Sequence, residues 1–324
     1  MALVVGFCLL LFLGVLFARD PEHFLPLLGS IAVLAAVLWA SVRLGRSVLV
    51  RIRWNRPVAF LSEPVEDRWA QIVDDTFPLS RTLTAEQRER LLKYVQLFLH
   101  EKRFEGCNGL VVTEEMRVSI AAQACFLLLG LEGGCYPGLD TIVLYPSTYI
   151  PREDWAYKLR MRTGQIADKI QPRLGESWVH GTIVLSWDAV RHGAVNIQDG
   201  KNVVFHEFAH QLDQADGVAD GVPAAWMRSS LHVWAELIGK HRERLKRARK
   251  KFRRTVLRKY GATNRAEFFA VATEAFFEKP HQLKKKVPDL YDELAVFFRR
   301  NPIEERASNV VQGSAVHDAR KPNS

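Results

Sequence analysis

Cysteine is scarce in this chain. Its 324 residues include four, Cys8, Cys107, Cys125 and Cys135, and the first lies inside an uncharged apolar run. The remaining three have no metal-ligand spacing and are too few for a disulfide framework, so free thiols in a reducing compartment fit better. Internal repeats are absent as well. The N-terminus has neither a basic leader nor a small-residue cleavage site, which argues against a secretory signal. With 48% hydrophobic and 25% charged residues, the composition is that of an ordinary globular chain, neither disordered nor collagen-like. The net charge of +9 is unevenly spread. Much of the surplus falls in 43–56 and 240–259, so two segments, not the whole surface, favour an anionic partner.

Two uncharged runs are present at the start, residues 2–18 and 24–42, separated by Arg19-Asp20-Pro21-Glu22-His23. At ~1.5 Å per helical residue each reaches about 25–29 Å, close to the ~30 Å hydrocarbon core of a bilayer. Arg43, Arg46, Arg51, Arg53 and Arg56 follow the second run. Arginines so placed stay on the cytoplasmic side, which predicts a transmembrane helical hairpin with both ends inside. Residues 1–56 are therefore expected to be a membrane anchor with a basic juxtamembrane segment. A soluble, mainly helical α+β domain with a small sheet is expected over 57–302, and a polar, disordered tail over 303–324.

Within that domain Leu91, Leu92, Val95, Phe98 and Leu99 recur near helical spacing after Thr84. Further helices are expected over 114–129, 199–213, 264–278 and 289–299, with one or two basic helices over 226–259. Thr141–Tyr145 and Gly181–Trp187 read as strands, rich in β-branched residues and bounded by Gly, Pro or Asp. The second is expected to bind an extended peptide by backbone pairing, as sheet edges do.

The chemistry is carried by His206-Glu207-Phe208-Ala209-His210. Residues four apart on a helix share a face, so both imidazoles can point at one ion, and zinc suits such ligands. Glu207 is offset by about 100° from His206 and can instead reach a water bound to that ion. Val203, Val204, Phe205, Phe208, Ala209 and Leu212 make the flanks apolar. Polar groups in a buried helix need partners, and a metal supplies them. A catalytic site also needs a third protein ligand and an open fourth position. Glu267 and Glu274, seven apart on one predicted helix, are candidates for that ligand. Asp213, Asp216 and His232 remain open too. Whichever of Asp213 and the downstream glutamates is not a ligand can accept the second ring N–H of a ligand histidine.

GTIVLSWDAV (181–190), HEFAHQLD (206–213), GVPAAW (221–226) and AEFFAVATEAFF (266–277), with DTIVLYP (140–146), carry a resemblance. They are similar to the Mlc titration factor A family, bacterial zinc-dependent peptidases whose catalytic core resembles that of anthrax lethal factor. The similarity covers roughly residues 65–302. It implies a zincin-like fold, Glu267 as third ligand and Tyr260 as hydrogen-bond donor to the oxyanion of the tetrahedral intermediate. Glu274 then becomes outer support for a ligand histidine. Aminopeptidase-type hydrolysis of a peptide or protein substrate is implied as well, as is a glucose-responsive transcription repressor as protein partner. The chain departs from the family in its apolar N-terminal runs and in the basic stretch 240–259.

That stretch holds twelve Lys/Arg and one Glu. A solvated helical face and a contact with anionic lipid headgroups are the two leading readings. Nucleic acid comes third, because few aromatics interleave with the charges. The expected function is zinc-dependent peptide hydrolysis at a bacterial inner membrane, with the catalytic domain in the cytoplasm. The competing function is a non-catalytic metal-binding regulator that sequesters a repressor or another protein.

Overall fold

The computed structural model describes residues 62–147, 175–178, 181–216, 219–223 and 231–307, with the single helical positions 33, 37, 41 and 45. The chain divides into two compact units, Met1–Leu49 and Val50–Ser324. In the first, Val33, Val37, Ser41 and Gly45 are helical. The rest of the expected hairpin, and the tail from 308 onward, lie outside the described residues; residues 302–307 are helical, with Glu305 bonded to Arg300, where disorder was expected from 303. Among the described residues no helix is long and apolar enough to cross a membrane.

Nine helices with both ends described and four strands are found in the second unit, with a further helical stretch at 302–307. Helix α1 (Asp67–Thr76) leads into α2 (Ala85–Glu101). Thr84 caps α2 reciprocally: its hydroxyl accepts the Gln87 N–H, and the Gln87 side chain accepts the Thr84 N–H. Strand β1 (Arg103–Gly106) and helix α3 (Glu114–Phe126) precede β2 (Thr141–Tyr145). Then come β3 (Gly175–Trp178), β4 (Thr182–Ser186) and α4 (Trp187–Val195). The remaining helices are α5 (Val203–Asp213), α6 (Leu231–Lys250), α7 (Arg265–Glu278), α8 (Pro280–Lys286) and α9 (Pro288–Phe298).

The sheet order is β1-β2-β4-β3, with β1, β2 and β4 parallel and β3 antiparallel to β4. Ile142 and Leu144 pair with Ile183 and Leu185, and all four are buried. This corrects the peptide-pairing expectation for 181–187. Strand β4 is flanked by β2 and β3, so its backbone groups are already used, and the edge beyond it belongs to β3. Trp187 opens α4 instead of ending the strand. A second correction concerns 226–259, where the helix stops at Lys250 and gives way to an irregular segment and a short 3₁₀ turn at Lys259–Ala262.

Helices α3, α5 and α7 share an aromatic core. Phe126 meets Phe77 and Phe277 edge-on at 5.3 Å and stacks on Phe205 at 5.9 Å. Burying each such ring contributes roughly 1.5–3 kcal/mol, which fixes α5 against α7. Arg300 is buried above Phe126, its guanidinium 4.1 Å from the ring centroid. Glu305 accepts two hydrogen bonds from it at 2.9 and 2.7 Å, so the buried charge is paired. Cys107, Cys125 and Cys135 are free thiols.

Candidate metal centre

Local chemistry sets where each site helix begins. Asn202 is fully buried, and its Oδ1 accepts the Phe205 N–H at 2.9 Å. Its Nδ2 donates to Gln123 Oε1 and to the Gly193 carbonyl, both at 3.1 Å. An asparagine so satisfied starts α5 at Val203, four residues later than the sequence pattern suggested. Asn264 does the same for α7, accepting the Glu267 N–H at 2.8 Å. Glu267 thereby stands in the first turn of α7, where the helix dipole favours a carboxylate.

Gly221 holds the α7 start in place. Its φ is +79°, and a Cβ there would come within 2.5 Å of the Arg265 carbonyl carbon and oxygen. The Gly221 carbonyl accepts a 2.7 Å hydrogen bond from buried Trp234 of α6. Glycine is required on both counts.

Helices α5 and α7 pack together and bring the predicted ligand set to one point. One donor atom from each of His206, His210 and Glu267 lies within 4.8 Å of the others, a group that could hold a metal ion. Glu267 Oε2 is 3.0 Å from His206 Nε2 and 3.5 Å from His210 Nε2. On the far side of the His206 ring, Nδ1 is 2.7 Å from Oε1 of fully buried Glu274. Glu274 is thus the carboxylate on Nδ1 of His206, the ring nitrogen turned away from Glu267. Asp213 is fully buried at the end of α5. His232 is exposed on α6 and outside the converging group. The side chain of Asp216 lies outside the described residues. Tyr260 donates its phenol proton to Glu267 Oε1 at 3.0 Å, and its ring lies 6.0 Å from that of His206.

Arg258 completes the cluster. Its guanidinium donates to Glu274 Oε1, and one of its nitrogens is 3.3 Å from His206 Nδ1. The sequence reading missed it, because it is one of twelve cations between Lys240 and Lys259 and nothing in the pattern separates it from the others.

The electrostatics follow from burial and charge. Burial opposes a charged His206, but the Glu274 charge and the hydrogen bonds that His206 donates to Glu267 and Glu274 outweigh it and raise its pKa to about 10. Burial likewise opposes ionisation of Glu267, yet His206 and His210 hold it well below the usual carboxylate range. Glu207 is raised by burial, against the pull of both histidines. Tyr260 is raised by burial and by the adjacent Glu267 charge, so it stays a donor at neutral pH. With both histidines neutral, as metal ligation requires, ionised Glu207, Glu267 and Glu274 against Arg258 leave two negative charges, which a divalent cation would balance.

One turn after Glu274, Glu278 is buried and its pKa is raised to about 9, chiefly by burial and then by Glu274 and Asp199. Its folded pKa exceeds the unfolded value near 4.3, so the native state keeps a proton that the unfolded chain releases. The associated stability is complete below about pH 4 and is lost as pH rises towards 9. Gln cannot ionise and keeps an oxygen for the Lys201 N–H, now bonded at 3.0 Å. Glu278→Gln should therefore gain on the parent by up to ~1.4 kcal/mol per pH unit across that window. Melting temperatures at about pH 5 and pH 8.5 check this, and a difference that ignores pH would contradict it.

The comparisons agree with this arrangement. Residues 51–299 match the family described as glucose-regulated metallo-peptidase M90. An uncharacterized protein of Synechocystis sp. is 38% identical over 252 residues, which is 77% of this chain and 90% of the relative. Mlc titration factor A of Yersinia pestis and of Yersinia pseudotuberculosis are each 31% identical over 265 residues, 78% of this chain and 91% of theirs. Matched over residues 51–299, most of its length, the chain belongs to the glucose-regulated metallo-peptidases M90.

Proposed function

We propose that this protein hydrolyses peptide bonds at a zinc ion held by His206, His210 and Glu267, with Glu207 as general base and Tyr260 as oxyanion donor. The observation that carries the reading is the convergence of two imidazole nitrogens and one carboxylate oxygen. The donor set fits the group. Ligands about 2.0–2.1 Å from a tetrahedral zinc lie roughly 3.3 Å from one another, and the 3.0 and 3.5 Å separations bracket that value. A zinc ion bound there would act as a Lewis acid towards a carbonyl and would acidify water.

The protein's own groups account for the rest. Glu274 accepts the Nδ1 proton of His206 and so turns Nε2 towards the site. Glu207, raised by burial, takes the proton of the attacking water and returns it to the leaving amine. Tyr260, kept protonated beside Glu267, donates to the oxyanion. Strand β3 is at the sheet edge and packs against α5, a position suited to pairing with an extended substrate. Attack next to a free amino terminus, as an aminopeptidase, is part of the proposal. So is anchoring by the apolar runs 2–18 and 24–42 at a bacterial inner membrane, with the catalytic unit cytoplasmic.

A second reading is favoured by the name of two relatives, titration factor, which speaks of a protein partner. In it the site binds metal without catalysis and the domain sequesters a transcription repressor. Incubating zinc-loaded and chelated protein with unblocked and N-acetylated peptides separates the two. Metal-dependent release of new amino termini supports the peptidase. Intact peptides under every condition would leave the regulator.

A further inference from the structure

The C-terminal end of α6 has a construction that the helix itself does not require. Arg253 N–H bonds the Ala248 carbonyl at 3.0 Å and Phe252 N–H bonds the Arg249 carbonyl at 3.2 Å. This is the Schellman closure, whose left-handed position normally takes glycine. Here Phe252 occupies it, with φ of +51°. A bulky aromatic is disfavoured in that conformation, and burial does not compensate, because Phe252 is 89% exposed. Lys259 Nζ lies 5.9 Å from its ring centroid.

The surrounding charge is of one sign. Lys240 is paired with Asp289 and Lys246 with Glu243, whereas Arg247, Lys250, Lys251, Arg253 and Arg254 form no ion pair among the described residues. Arg244, Arg247, Ala248, Lys251 and Arg253 line an open cleft of about 280 Å³, and Lys251 and Arg253 are the chain neighbours of Phe252. A helix dipole accounts for cations in a last turn but not for an exposed, backbone-strained phenylalanine among them.

We infer that this end of α6 is a docking surface for an anionic phospholipid bilayer, with Phe252 entering the interface and the cleft cations seating headgroup phosphates. An aromatic finger within a basic collar meets the two demands of a membrane surface, apolar depth and negative potential. Each cation near such a surface contributes roughly a fivefold gain in partitioning, about 1 kcal/mol. The inference stands independently of peptide hydrolysis, since it uses none of the site residues.

The test uses the full chain in nanodiscs of phosphatidylcholine, with or without about one-third phosphatidylserine, and follows amide hydrogen exchange over 247–256. Phosphatidylserine should slow exchange there at least tenfold. Arg247→Glu with Arg253→Glu should abolish the protection. Phe252→Gly should abolish most of it while raising the melting temperature, because glycine relieves the left-handed strain. Equal exchange in both lipids would overturn the inference, as would protection that survives in either variant. Stronger protection by a short DNA duplex than by phosphatidylserine would overturn it in favour of nucleic acid.

Discussion

Replacing Glu207 with glutamine is expected to lower peptide hydrolysis by at least 10²–10⁴-fold while leaving metal content unchanged. The residue is only 4% exposed, and glutamine fills the same volume, so packing within α5 should survive. It is not one of the three converging donors, so metal affinity should change little. Glutamine cannot accept a proton at neutral pH, and only the proton-transfer role is removed. Turnover and metal content measured on the same preparation provide the check. Activity within tenfold of the parent would assign the base to another residue.

Arg258→Ala should destabilise the protein by about 3 kcal/mol, comparable to breaking other buried ion pairs. Among the described residues its guanidinium is the one permanent cation on Glu274, whose side chain is fully buried. Truncation leaves that carboxylate with His206 as its only recorded partner. Lysine would not substitute well, because the arginine reaches Glu274 with one nitrogen placed beside the His206 ring. Adding Glu274→Gln to Arg258→Ala should recover part of the loss, since the uncompensated charge is then gone. Urea denaturation of the two single variants and the double variant measures the coupling. Strict additivity would mean that the two groups do not stabilise one another.

Arg258 also shows where the sequence stops being legible. His206, Glu207 and His210 are local, set by one helical turn, and their spacing alone places them on α5. Glu267, 57 residues further on, has no local mark that separates it from Glu274, and resemblance to known peptidases was needed to rank them. The structure puts both on His206, at opposite ring nitrogens. Strand Thr141–Tyr145 is readable in full because it is rich in β-branched residues and bounded by Asp140 and Pro146. Strands β1 and β3, four residues each and rich in polar side chains, carry no such signal. Their existence depends on pairing with β2 and β4, which is tertiary information. The same holds for the interior position of β4, which no periodicity reveals. The start of α5 was misplaced because Asn202 caps the helix through Gln123 and Gly193, partners distant in sequence.

The central claim is that one metal ion is held between two imidazoles of α5 and the first-turn carboxylate of α7. Native mass spectrometry of the full chain addresses it most directly, on the parent and on His206→Ala combined with His210→Ala. The account predicts one zinc per chain in the parent and none in the double variant, with both folded by circular dichroism. A parent that carries no metal and cannot be loaded, or a double variant that keeps a full equivalent, would contradict it.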